Sequence, residues 1–395
     1  MKIPATISFL LAALLISCPS GEAPPAASQQ QPLFTNAQGS PVPLQNGPGN
    51  VLIGDMNNDR NLDLVVASAS ARSITVLEGK GNGQFGAALT NTTLTDPPHE
   101  IALGDLNGDG KLDLAVASHD TYAVMLLTGD GKGGLTKSTP IVMKLGQHPH
   151  THGLALADVN RDNKLDLITC NSTDNDISLA LGDGRGSFTR VMQSYPVGPS
   201  PYPFGAGDVN TDGWLDIVAT ATATGPLRSQ QLPLSRALTL LLSDGKGGFS
   251  PRQLPIRTGE PWFAAIADLN RDGKADIVAT HHDQSALTVM IGDGRGGFTE
   301  ANGSPFDFGA SLFHLIVADV DRDATMDVVA TSGDSVRVLR NDGRGGFKQA
   351  GSIQVGPGAW RIAAADLNGD GAVDVVTSNS EGNSLSVLLG RSVNP

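Results

Sequence analysis

The chain predicts an all-β fold, a propeller assembled from seven repeats of a four-stranded blade, and three observations predict it. A nine-residue motif, plainest at Asp105-Leu106-Asn107-Gly108-Asp109-Gly110-Lys111-Leu112-Asp113, recurs seven times at a period of about 50 residues. Each copy lies among short apolar runs of strand length, with no sustained helical period anywhere. The two chain ends each carry part of one repeat. Four short strands per repeat at this period is the signature of propeller blades.

Taken in order, the chain opens on a secretion signal over residues 1–17: Lys2 supplies the positive start and Ile7 to Ile16 the apolar run, which is too short to span a membrane. Leu15-Ile16-Ser17-Cys18 resembles the lipobox of bacterial lipoproteins, which implies acylation of Cys18; an ordinary signal peptide with a chance cysteine is the plainer alternative. With Cys18 acylated, Cys170 has no disulfide partner, so an extracytoplasmic fold must be held together by other means. Residues 18–32, rich in Pro, Ala, Ser and Gln, are expected to form a disordered tether, and residues 33–395 the propeller.

Within a repeat, the apolar run Ile101-Ala102-Leu103 precedes the motif and Leu114-Ala115-Val116-Ala117 follows it. A third run, Val124 to Leu127, leads into the turn Gly129-Asp130-Gly131-Lys132-Gly133-Gly134, whose Asp-Gly and Gly-Gly steps provide the positive φ of a tight hairpin. The seventh repeat stops at that turn. Leu33 to Leu44 carries the phase of a fourth strand and is expected to complete the seventh blade, closing the ring and removing its open edges.

These residues resemble the FG-GAP or VCBS repeats of integrin α-chain heads and many bacterial surface proteins, over Leu33 to Arg391. The resemblance implies a seven-bladed β-propeller with a calcium loop between the first and second strands of each blade. It does not fix a ligand.

The oxygen spacing of the motif itself suits a hard cation such as calcium, with side chains at the first, third, fifth and ninth positions and a backbone carbonyl at the seventh. The candidate ligands are Asp55, Asn57, Asp59, Asn61 and Asp63 in the first repeat, and Asp105, Asn107, Asp109, Lys111 and Asp113 in the second. The third offers Asp158, Asn160, Asp162, Lys164 and Asp166, and the fourth Asp208, Asn210, Asp212, Trp214 and Asp216. Asp268, Asn270, Asp272, Lys274 and Asp276 follow in the fifth, then Asp319, Asp321, Asp323, Thr325 and Asp327, and finally Asp366, Asn368, Asp370, Ala372 and Asp374. Two carboxylates about 4 Å apart repel by roughly 4 kcal/mol at an effective dielectric near 20, so three in one loop call for a cation. A plain Asx turn explains the first aspartate and the asparagine but leaves the fifth and ninth carboxylates without a role. The sixth position calls for a left-handed backbone, which Gly110, Gly213, Gly273 and Gly371 accept freely and Asn163 at modest cost. Arg60 and Ala324 fit less well, so the first and sixth sites are the doubtful ones. Up to seven structural calcium ions are expected, and they would move the formal charge from −13 to +1. The acidity is therefore metal-site charge, and with no basic patch nucleic acid is excluded as a partner.

Alternating strand direction puts these loops and the Gly-rich hairpins on one face. All eight histidines fall in or beside connections of the other face. Six residues before each first aspartate stand His99, His152, Tyr202, Trp262, Phe313 and Trp360, with Gly49 the exception. Such residues cap the core between blades or form a ligand-binding ring. His148, His150 and His152 alternate along one segment, and with His99, His119 or His281 they could form a second, transition-metal site; His282 and His314 complete the histidine-bearing face. An insertion around Thr222 to Arg236 lies on the same side, as a recognition loop or an inert one.

The function expected is a monomeric, lipid-anchored, calcium-stabilised module of the bacterial cell envelope, held to the membrane by its N-terminal lipid alone and serving to bind or adhere to a protein or glycan. The alternative is an enzyme, polysaccharide-degrading or metal-dependent, on the histidine and aromatic face. A purely structural envelope protein is a third reading.

Overall fold

The structure, a computed structural model, describes residues 32–391 apart from 46, 139, 144–149, 190–192, 223–236, 258 and 282. The signal segment, Cys18, nearly all of the tether, His148, His282 and nearly all of the insertion lie outside the described residues.

Each repeat forms one antiparallel sheet, giving seven sheets and no helix among the described residues. In the second blade Glu100–Gly104 runs innermost, followed outward by Asp113–Ala117, Ala123–Gly129 and Leu135–Lys137, with Ile141–Val142 continuing the outer edge. The innermost strands touch their neighbours around the axis from the fourth blade through the seventh and on to the third.

Second strands such as Asp63–Ser68 and Asp113–Ala117 are buried along their whole length. They are covered on both faces by adjacent blades, which is why they read as continuous apolar runs rather than as alternating ones. The outer strand Phe85–Thr93 has no buried residue. The core is accordingly divided into seven apolar clusters, one at each junction between blades. Leu52, Val65 and Val76 of the first blade pack on Ile101, Leu103 and Leu114 of the second. Val51 and Leu64 pack on Val376, Leu385 and Val387 across the junction where the chain ends meet. Each such side chain contributes about 1.5–3 kcal/mol when fully buried, so the ring is held by its junctions.

Closure follows the expectation. Phe34–Asn36 pairs antiparallel with Ser384–Gly390, Phe34 opposite Gly390, and Val42–Pro43 continues along the same strand. Phe34 is buried among Ile316, Val338, Ile362 and Leu388, which anchors the N-terminal strand into the junction of the sixth and seventh blades.

Candidate functional site

The acidic loop joins the first and second strands in every blade, and backbone hydrogen bonds shape it. In the second blade Asp105 Oδ1 accepts from the Gly108 and Asp109 amides, and Oδ2 from Gly110 at 2.8 Å. Asn107 Oδ1 accepts from the Asp109 amide, and Asp109 Oδ1 from that of Lys111. The buried Asp113 accepts with both oxygens, from Leu106 N at 3.0 Å and from Gly129 N at 2.9 Å. That last pair recurs in all seven blades, tying the start of the loop and the end of the third strand to one carboxylate. The turn thus employs the fifth and ninth carboxylates, a correction to the expectation that only a cation gives them a role.

The left-handed sixth position is present in all seven loops, including Arg60 at φ 74° and Ala324 at φ 66°. The fourth position is left-handed as well, at Asn58, Gly108, Arg161, Thr211, Arg271, Arg322 and Gly369.

Hydrogen bonds satisfy the loop's shape but not its charge. Burial, with repulsion from the first and fifth aspartates added, raises the ninth carboxyl to about 6 at Asp166, Asp216, Asp276 and Asp374. Asp63 and Asp113 are raised for the same reasons. A set of carboxylate, amide and carbonyl oxygens carrying this uncompensated charge fits a hard divalent cation. The sixth loop differs. Carboxylate oxygens of Asp319, Asp321 and Asp327 lie within 4.8 Å of one another, and the Arg340 guanidinium pairs with Asp321 and stands 3.6 Å from Asp323. The residue at that place is Glu78, Thr128, Leu181, Leu242, Ile291 or Leu389 in the other blades, so none of them has a cation there, although Lys111, Lys164 and Lys274 approach the fifth carboxylate of their own loops from the exposed side.

On the opposite face the residues expected to line the opening do converge. His99 stacks on His119 at 3.7 Å, and His119 lies 4.8 Å from His150 and 4.5 Å from His152. His152 stacks on Tyr202 at 4.2 Å, and Tyr202 meets Trp262 at 4.1 Å. Trp262 then meets Trp360 edge-on at 6.3 Å, and Phe313 and His314 flank Trp360. Trp262 and Trp360 belong to the fifth and seventh blades, so the ring contacts reach past the sixth blade between them. A register shift at His152, at Trp262 and again at Trp360-Arg361 marks a bulge in the innermost strand. Bulges re-aim side chains, and here they fall where the ring residues stand.

Not every expected residue takes part. Trp262 is buried in the junction of the fifth and sixth blades, the capping role rather than the binding one, whereas Tyr202, Phe313 and Trp360 stay partly exposed. His281 does stand beside a connection, as the last residue of Asp276–His281, but it is 1% exposed and its Nε2 meets Thr288 Oγ1 at 2.7 Å, a correction to its candidacy for a shared metal site with the other imidazoles. His314 is also sealed, 2% exposed.

Beneath the aromatic layer lies a polar one that the sequence reading missed. Arg361 of the seventh blade pairs with Glu100 of the second, both buried, and Asn50 of the first blade donates to Glu100 Oε2 at 3.3 Å. Arg361 Nη1 also reaches His314 Nδ1 at 3.2 Å; arginine only donates, so this imidazole accepts there. Burial pushes the Glu100 carboxyl up, while Arg361 pulls it back. The available signal was the position five residues before each first aspartate, where Glu100 and Arg361 stand among mostly neutral residues.

Together the ring and its loops define a seven-bladed β-propeller with an acidic loop in every blade. The FG-GAP-like repeat matches residues 55–116, 105–169, 158–219, 268–330 and 319–377, more than half of the chain, and the chain belongs to that family. Solved structures share the fold at low identity. BBS1N, in complex with ARL6DN and soaked with lead, is 11% identical with a TM-score of 0.61, covering 92% of this chain and 98% of that one. An Agrocybe aegerita lectin that recognises non-reducing terminal N-acetylglucosamine is 19% identical with a TM-score of 0.53, covering 79% and 80%. A catalytically inactive virginiamycin B lyase from Staphylococcus aureus, bound to quinupristin, is 12% identical with a TM-score of 0.55, covering 90% and 97%. None of the curated proteins compared matches the chain.

Proposed function

We propose that this propeller is a lipid-anchored, calcium-stabilised binding module of the bacterial cell envelope that engages a protein or glycan through the face opposite its acidic loops. The observation that carries the reading is the arc of partly exposed rings at His152, Tyr202, Phe313 and Trp360, gathered from four blades onto one face. Ring faces beside imidazole nitrogens suit a sugar, whose apolar face stacks while its hydroxyls hydrogen-bond, and this favours a glycan over a protein. Lectin and protein-complex examples among propellers of the same fold agree with either ligand. In each blade the first, third, fifth and ninth side chains and the seventh carbonyl would hold calcium, which neutralises the clustered carboxylates. Affinity of extracellular sites of this ligand type is on the order of 10⁻⁴ to 10⁻³ M.

A glycan-array screen followed by calorimetry tests the reading. Binding that falls at least tenfold in Tyr202→Ala and Trp360→Ala, with the melting curve retained, supports it. Binding indifferent to both substitutions, or no glycan bound at all, removes the glycan reading; turnover of a bound sugar would favour the enzyme alternative.

A further inference from the structure

We infer that His119, His150 and His152 form a three-imidazole site for a borderline transition-metal dication of the Zn²⁺ class, separate from the calcium loops and sharing only His152 with the arc of rings. One ring nitrogen from each lies within 4.8 Å of the other two. Three imidazole nitrogens at 2.0–2.1 Å from a tetrahedral ion stand about 3.3 Å apart, so ring rotations moving each nitrogen by roughly 1 Å complete the site. The fold brings them together from two blades. His119 sits in the turn after Asp113–Ala117 of the second blade, and His150 and His152 flank Thr151 at the start of the innermost strand of the third. The bulge at His152 turns that side chain toward its neighbours.

A second observation points to a ligand. His119 Nε2 is buried and has no hydrogen-bond partner among the described residues. Leaving such an atom unsatisfied is costly, and buried nitrogens are nearly always partnered. A coordinated ion, or a water that an ion would displace, meets that need. His99 stacks on His119 and accepts the His119 backbone amide at its own Nδ1, 3.2 Å away, so it braces the ligand rather than joining it.

Donor chemistry selects the metal. A set made only of imidazole favours Zn²⁺, Cu²⁺, Ni²⁺ or Co²⁺ and disfavours Ca²⁺ and Mg²⁺, which require oxygen. Cys170 does not contribute, since its buried thiol donates to the Tyr202 carbonyl. Three protein ligands leave a fourth position for water or for a donor atom of a bound molecule.

The test uses the full chain, stripped of metals by a chelator and returned to excess Ca²⁺ so that the acidic loops are occupied. Titration with Co²⁺ should give visible ligand-field bands that saturate at one equivalent, and Zn²⁺ should abolish them. His150→Gln, a half-buried position, should weaken Co²⁺ binding at least about tenfold with an unchanged melting temperature. His152→Gln should do the same, and replacing both should remove the bands. Absence of bands and of stoichiometric Zn²⁺ uptake by the folded protein would overturn the site, as would bands that persist when both residues are changed.

Discussion

At Ala324 the backbone sits at φ 66°, a conformation that costs a non-glycine residue roughly 1–2 kcal/mol. The Asp319 carboxylate holds it there by accepting the Ala324 amide at 3.0 Å, so the loop imposes the geometry and the residue bears the strain. Ala324 is exposed, and Ala324→Gly is therefore expected to stabilise the protein by about 0.5–1 kcal/mol, read as a higher urea midpoint. The sixth position was legible because four of its seven residues are glycine. The equally left-handed fourth position was not, since Arg161, Thr211, Arg271 and Arg322 give no hint of it. The Asx bonds of the loop, rather than residue preference, set the backbone there.

The unit that repeats is loop plus hairpin. Gly129 reads in the sequence as part of a tight turn, yet its φ is not among the positive ones; its neighbours Gly131 and Gly133 carry those. A Cβ at Gly129 would lie 2.1 Å from the Leu112 carbonyl oxygen, so this glycine permits the third strand to press against the acidic loop while its amide donates to Asp113. Gly79, Gly182, Gly292 and Gly390 face the same obstruction in their own blades. Gly129→Ala is expected to cost about 1–3 kcal/mol, the ordinary cost of overpacking, and to weaken calcium binding in that blade. Denaturant melts in calcium and in chelator measure both effects. The sequence showed the glycine but not its reason, because close approach between segments leaves no local pattern.

Across the whole molecule, the blade count and closure by Leu33 to Leu44 followed from the phase of a strong motif, and the junction cores followed from the apolar runs. The layer that plugs the axis did not, since Arg361 and Glu100 meet only when the ring closes across 261 residues. Burial of histidines adds a pH dependence to the closed ring. His281 is held down to about 4 and His314 well below its ordinary value. Between pH 6.5 and 4 the unfolded chain takes up protons at these residues that the folded chain refuses, so stability is full above that window and falls as pH falls through it. In saturating calcium the urea midpoint should drop from pH 7 to pH 5, and His281→Gln should make the drop shallower. A slope unchanged by that substitution would remove the histidine explanation. At calcium concentrations 10 to 100 times the dissociation constant, each occupied loop adds about 1.4–2.7 kcal/mol to the folded state by mass action. The sixth loop, with Arg340 already among its carboxylates, should depend on the ion least. The most direct measurement is the melting temperature of the full chain in calcium, in chelator, and in chelator followed by restored calcium. A fall on chelation that calcium reverses and magnesium does not is the expected result; a melting temperature that ignores the chelator would contradict the fastening role of the seven loops.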